Sequence, residues 1–132
     1  MSKISVRVYY EDTDSGGVVY YANYLKFIER SRSEYLRDLG FEQDDLTVNH
    51  NTIFAVRSLN AQYRAPAKFN DLLTVQTNIE KVGHASLTFL QKIMHSSKKT
   101  VLFKAQITIA CLHADNFKPC GIPSLILEKV NG

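Results

Sequence analysis

The chain has 132 residues, 45% hydrophobic and 22% charged, and its 16 Lys and Arg against 13 Asp and Glu give a net charge of +3. This length fits one domain, residues 1–132, with one real core. The basic residues are scattered, with no run longer than Lys98-Lys99, which argues against nucleic acid but permits a ligand carrying phosphates. No apolar run nears the roughly 20 residues that span a bilayer. The N-terminal "MSKISVRVYY" also has no apolar signal core. A soluble cytoplasmic protein without a membrane span is expected. Cys111 and Cys120 form no CxxC pair. Reduced thiols in an intracellular compartment are the simpler expectation, and a single disulfide stays open.

The first element predicted is a strand over residues 3–10. Ile4, Val6, Val8 and Tyr10 alternate there with Ser5, Arg7 and Tyr9. "EDTDSGG" interrupts it. From about Ala22 to Leu39 the period becomes helical, with Tyr24, Phe27, Ile28, Tyr35 and Leu39 on one face, extended by Leu25, Ser31 and Leu36. Asn23 is the candidate N-cap and Gly40 stands at the C′ position. Residues 42–51 are polar and unassigned. Strands follow over residues 53–63, 72–82, 85–95 and 101–112, separated by "RAPAKFND", Gly83-His84 and "SSKK". In residues 53–63 the apolar positions fall on two faces, Phe54 and Val56 against Ile53, Ala55, Leu59, Ala61 and Tyr63. Connections this short imply antiparallel pairing of the last three strands. One amphipathic helix covering one face of a five-stranded sheet is an α+β arrangement. No pattern is assigned to the tail from Pro119.

The chemistry concentrates in Glu11–Tyr24, "EDTDSGGVVYYANY". Three carboxylates lie within four residues there, and like charges this close repel. A calcium loop starting at Asp12 would need ligands where Gly16 and Asn23 stand, and it lacks an incoming helix. An aspartyl phosphohydrolase would need crossover helices that this chain does not have. His50, His84, His95 and His113 show no metal-ligand spacing, so no metal and no cofactor are expected. Two readings stay open for the acidic stretch. Asp12 or Asp14 caps a turn or the helix. Alternatively, a carboxylate stands beside helix N-terminal N–H groups, which have no internal partner and favour an anion. Carboxylate and donors together are the minimum equipment for hydrolysing an activated acyl group.

Val8 to Tyr24, with Phe27, Glu29, Arg32, Ser33 and Glu34 on the helix and "YRAPAKFND" after it, resembles the hotdog-fold acyl-CoA thioesterases. The resemblance is to the 4-hydroxybenzoyl-CoA thioesterase family and its YbgC-type branch, and it extends from about residue 4 to residue 123. It implies a five-stranded antiparallel sheet wrapped around one long helix. It implies that Asp14 is the catalytic carboxylate and that the backbone N–H of Tyr21 polarises the thioester carbonyl. Gly17, Tyr20, Tyr24 and Ser86 are the expected substrate-binding residues. The implied substrate is an acyl-CoA, with acyl carrier protein as a possible alternative carrier, and the implied assembly is a homodimer or homotetramer. A non-catalytic acyl-CoA-binding protein is the competing class. The branch commonly has His where this chain has Tyr21, so only the backbone role carries over. Arg57, Arg64, Lys68, Lys98 and Lys99 are candidates for the CoA phosphates because they are basic and near strand ends or turns.

Overall fold

In the computed structural model, which describes residues 1–131, strand β1 (Ser2–Arg7) leads through a 3-10 turn (Tyr10–Asp12) into helix α1 (Asn23–Asp38). Helix α2 (Gln43–His50), strands β2 (Thr52–Tyr63), β3 (Leu72–Val82), β4 (Ser86–His95) and β5 (Val101–His113), and helix α3 (Ser124–Asn131) follow. The strands form one sheet in the order β1-β3-β4-β5-β2, and all four pairings are antiparallel. The strand that follows the helices therefore takes the far edge, beside β5. This is the expected α+β hotdog arrangement, a five-stranded sheet around one long helix.

Helix α1 buries Tyr24, Phe27, Ile28, Ser31 and Leu36, the i, i+3, i+4, i+7 stripe of a core-facing helix. The inward strand positions opposite that stripe include Leu73, Val75, Leu87, Phe89, Ile93, Phe103 and Ile107, all nearly fully buried. The helix stops as its sequence requires. Gly40 takes a φ of +98°, its N–H donates to Arg37 O at 2.9 Å, and the Phe41 N–H donates to Leu36 O at 2.9 Å. This is a Schellman ending, and the left-handed residue suits glycine because no Cβ collides. The start differs from expectation. Ala22 occupies the N-cap with no side-chain bond, and Asn23 instead sends its Nδ2 to Asp12 O at 2.9 Å.

Three other elements depart from the sequence pattern. Tyr10 leaves the strand period for the 3-10 turn and lies 77% exposed, its ring stacked on Phe69 at 3.8 Å. Residues 43–50 form a helix anchored only by Leu46. The tail forms α3, with Ile126 fully buried. The split apolar pattern of β2 has one cause, a bulge between Val56 and Ser58. On one side Phe54 and Val56 pair with Cys111 and Ile109. On the other Leu59, Ala61 and Tyr63 pair with Ile107, Ala105 and Phe103. The extra residue, Arg57, flips the parity, so Phe54 and Val56 share a face with Leu59, Ala61 and Tyr63, while Ile53 and Ala55, opposite Leu112 and Ala110, lie on the other face.

A polar layer crosses this core. Gln91 is fully buried, and its Nε2 donates to Ile28 O and Thr77 Oγ1, each at 2.8 Å. Arg32 donates to Gln91 Oε1 at 3.0 Å, and Ser31 and Thr77 share a hydrogen bond. Burial pulls the Arg32 guanidinium below its ordinary pKa, with Glu29 opposing the shift. Gln91→Leu preserves volume but strips the guanidinium of this acceptor. Leaving a buried polar group unpaired costs about 1–3 kcal/mol, so urea unfolding should show a loss of that size. A variant as stable as the parent would mean that the layer contributes nothing to stability.

Candidate active site

The acidic stretch folds as two successive turns with different owners. Asp12 belongs to the first. Its Oδ2 accepts from the Tyr9 N–H at 2.9 Å, and its carbonyl accepts from the Tyr20 N–H at 2.9 Å and from Asn23 Nδ2 at 2.9 Å. Asp12 thus ties the end of the strand to the start of α1. Glu11 is exposed and makes no hydrogen bond among those of the described residues. Asp14 owns the second turn. Its Oδ1 accepts from the Gly16 N–H at 2.8 Å, and its carbonyl accepts from the Gly17 N–H at 3.0 Å. Gly17 closes this turn with φ +78°, a conformation that costs other residues strain. Among the described residues Oδ2 of Asp14 has no partner, so the carboxylate is anchored through one oxygen and presents the other.

The chain then enters the helix. The Val19 N–H donates to Ala67 O at 2.8 Å, and the Asn23 N–H donates to Tyr20 O at 2.8 Å. Between these anchors the Tyr21 N–H has no acceptor among the described residues, while its carbonyl accepts from the Tyr63 hydroxyl at 3.0 Å. This free donor lies two residues before the first turn of α1, at the positive end of the helix dipole. An anchored carboxylate and an uncommitted N–H on one loop can act on opposite ends of a polarised carbonyl.

An open cleft of about 340 Å³ adjoins the donor, walled by Val19, Tyr21, Tyr24, Tyr63, Ala65 and Pro66, with Arg64 at its side. Its aromatic wall is interlocked. Tyr63 packs edge-on to Tyr21, Tyr24 and Phe103, and Tyr24 stacks on Phe103 at 5.2 Å. Tyr24 is buried, and its hydroxyl accepts from the Ala67 N–H at 3.0 Å, so only its ring is left to line the cleft. Burial raises the Tyr24 and Tyr63 pKa values above the ordinary phenol value. Tyr20 is exposed beside Tyr21, ring centroids 4.8 Å apart, and the Tyr21 phenol pushes its pKa upward.

The structure brings Asp14, Gly17, Tyr20 and Tyr21 onto one loop and sets Tyr24 directly behind it. Ser86 stands apart. It pairs with Ala110 on β5, seven positions from Phe103, roughly 23 Å along the strand at 3.3 Å per residue. Lys68 adjoins the glycine turn through the Val18–Lys68 bridge. Arg57 sits at the β2 bulge, and Lys98 and Lys99 lie on the β4–β5 turn. Sequence reasoning missed Tyr63, Ala65, Pro66 and Val19 as walls of the cleft. Tyr63 and Tyr21 are 42 residues apart, and no local pattern links them. Among the described residues no group of three or more His, Cys, Asp or Glu is placed to hold a metal ion.

Comparison with known proteins shows the family. Residues 16–102 match the model of the thioesterase superfamily. The acyl-CoA thioesterase YbgC of Haemophilus influenzae is 45% identical, over 89% of this chain and 85% of that protein. The acyl-CoA thioester hydrolase YbgC of Escherichia coli is 42% identical, over 94% and 91%. The solved structure of a probable thioesterase from Bartonella henselae superposes with a TM-score of 0.86 at 37% identity, covering 92% of this chain and 98% of that one. The chain belongs to the thioesterase superfamily, within the YbgC-type acyl-CoA thioesterases.

Proposed function

We propose that this chain hydrolyses an acyl-CoA thioester to a free acid and CoA, with Asp14 acting on the carbonyl and the Tyr21 N–H binding the oxyanion. The observation that carries this reading is the pair of uncommitted groups on one loop, Asp14 Oδ2 and the Tyr21 N–H. The names of the YbgC relatives support the substrate class. Asp14 either draws a proton from water as it attacks or attacks the carbonyl itself to give a mixed anhydride that water opens. The CoA thiolate is a good leaving group, so a strong general acid is not required. Gly17 and Tyr20 flank the reacting carbonyl, and the ring of Tyr24 backs the cleft that receives the acyl group.

The site is completed by a second copy. Strand β2 is a long edge with its outer hydrogen-bonding groups unpaired. Its Val56, Leu59 and Tyr63 are 55%, 43% and 49% exposed, although they lie on the face where Ile109, Ile107 and Phe103 are buried. Two such edges pairing antiparallel across a two-fold axis would give a continuous sheet and cover these side chains. Ser86 pairs with Ala110, on the sheet face opposite that of Phe103 and Tyr63, so this pairing does not bring its side chain to the cleft. Light scattering at micromolar concentration should report a dimer or tetramer. A monomer would remove this groove.

A specific feature favours a second carrier. The ladder aligns Lys3, Gln76, Lys92, Lys104 and Gln62 in one row across all five strands. Like charges placed opposite each other destabilise a sheet, and Lys92 faces Lys104 directly. The row ends at Gln62, which accepts from Arg64 at the cleft. An acidic carrier protein bearing the same thioester would cover the row. Thiol release should therefore be followed on matched CoA and carrier-protein conjugates over a panel of acyl chains. Lys92→Glu with Lys104→Glu should lower kcat/KM on the carrier conjugate roughly tenfold or more and leave the CoA conjugate little changed. Equal effects on both would remove the carrier reading. Binding without thiol release at any chain length would leave only an acyl-binding protein.

The carboxylates are separable. Asp14→Asn keeps shape and hydrogen bonding but loses the basic oxygen, so kcat should fall by about 10²–10⁴ with KM little changed. Glu11→Gln should be mild, and Asp12→Asn should act on stability. Tyr21→Phe should keep substantial turnover because the N–H remains. Tyr21→Pro should cost about 10²–10³ in rate. Circular dichroism establishes folding for each variant. Normal turnover in folded Asp14→Asn with an inactive Asp12→Asn would reassign the base, and Phe as damaging as Pro would assign the role to the phenol.

A further inference from the structure

Beyond the end of β5 the chain turns back on itself. The His113 N–H donates to Lys118 O at 2.8 Å and the Cys120 N–H to Cys111 O at 3.0 Å, on either side of a bridge between Leu112 and Pro119. This register sets Cys111 and Cys120 opposite each other on adjacent antiparallel segments, with side chains on one face. Their Sγ atoms lie 3.3 Å apart, and both are free thiols. Residues opposite in such a ladder have Cα atoms about 4.5–5.5 Å apart, within the span that a disulfide bridges. Cys111 is fully buried and Cys120 half-buried, so a small oxidant meets Cys120 first. Neither thiol belongs to the thioesterase site.

We propose that Cys111 and Cys120 form a dithiol oxidation site, which a peroxide converts to an intramolecular disulfide. Cys120 attacks one peroxide oxygen as a thiolate and the O–O bond breaks. The departing hydroxide takes up the thiol proton as water, and a sulfenic acid remains on Cys120. The Cys111 sulfur then attacks the Cys120 sulfur. The S–S bond forms as the S–O bond breaks, and the second hydroxide takes the Cys111 proton and leaves as water. Two thiols are oxidised and one peroxide is reduced to two waters. The order of events follows from the surroundings. Burial first, then the neighbouring Cys120 thiol, pushes the Cys111 pKa up to about 12, so Cys111 resolves rather than initiates. The bond would staple the returning segment to β5. That segment also holds the β3–β4 turn through the Ile122 N–H, which donates to His84 O at 2.9 Å, and it leads into α3.

Treating the folded protein with hydrogen peroxide, then denaturing, alkylating and mapping peptides, tests this directly. The expected result is a single cross-linked peptide pair containing Cys111 and Cys120, lost on reduction with dithiothreitol, with both residues protected from alkylation. Cys111→Ser should accumulate a dimedone-trapped sulfenic acid on Cys120 well above the level in the parent, because the resolving thiol is gone. Disulfides between chains, sulfinic acid on Cys120 with Cys111 still alkylatable, or equal sulfenic acid in parent and Cys111→Ser would each overturn the proposal. So would full alkylation of both residues after treatment.

Discussion

The site depends on how the chain crosses from the edge of the sheet to the helix on its concave face. Asp12 governs that crossing. Its carbonyl accepts from both the Tyr20 N–H and the Asn23 side chain, while its carboxylate closes the 3-10 turn at Tyr9. With both ends pinned, the residues between have little freedom, and Asp14 is displayed on a tight turn closed by Gly17. The same constraint leaves the Tyr21 N–H without an internal acceptor. Tyr21 is exposed, so water can reach this N–H and it is open to an acceptor from outside the chain. Two aspartates separated by one residue are therefore held differently, Asp12 committed to the backbone and Asp14 held by a single oxygen.

Behind the loop, the fold trades some apolar burial for order. Gln91, Thr77, Ser31 and Arg32 form a connected polar layer in a core otherwise built of Leu, Ile, Val and Phe. A layer of this kind fixes the rotation of α1 over the sheet, because each donor meets its acceptor in one orientation only. That rotation in turn aims the N-terminus of α1. Tyr24 links the two regions, with its ring stacked on Phe103 and its hydroxyl receiving the Ala67 N–H.

The edge strand β2 carries the least covered apolar strip of the sheet. Its bulge at Arg57 puts Phe54 and Val56 on the same face as Leu59, Ala61 and Tyr63 despite the break in period. Those side chains are only half covered within one chain. The helix α1 is too narrow to shield the whole concave face of a five-stranded sheet, so the uncovered strip runs along β2 and ends at Tyr63, one wall of the cleft.

Much of this was legible in the sequence. The period of two in residues 72–82 gave β3 with its observed bounds, and the period of 3.6 after Ala22 gave α1 and its buried face. Gly40 marked the helix end through the backbone conformation that it alone tolerates cheaply. The acidic stretch leaves two readings open on pattern alone, a turn or cap and a catalytic carboxylate, and the resemblance to the hotdog thioesterases points to the second. These features are local, and local patterns report on the few residues around them. The helices at 43–50 and 124–131 were not legible, since each relies on one or two buried residues meeting a distant partner. The bulge at Arg57 disguised one face of β2 as two. Asp14 is held by a local bond from the Gly16 N–H, yet the pattern did not say which oxygen stays free. That Tyr63 stands beside Tyr21 was decided by tertiary structure alone, because that contact joins segments 42 residues apart and exists only once the sheet has closed around the helix.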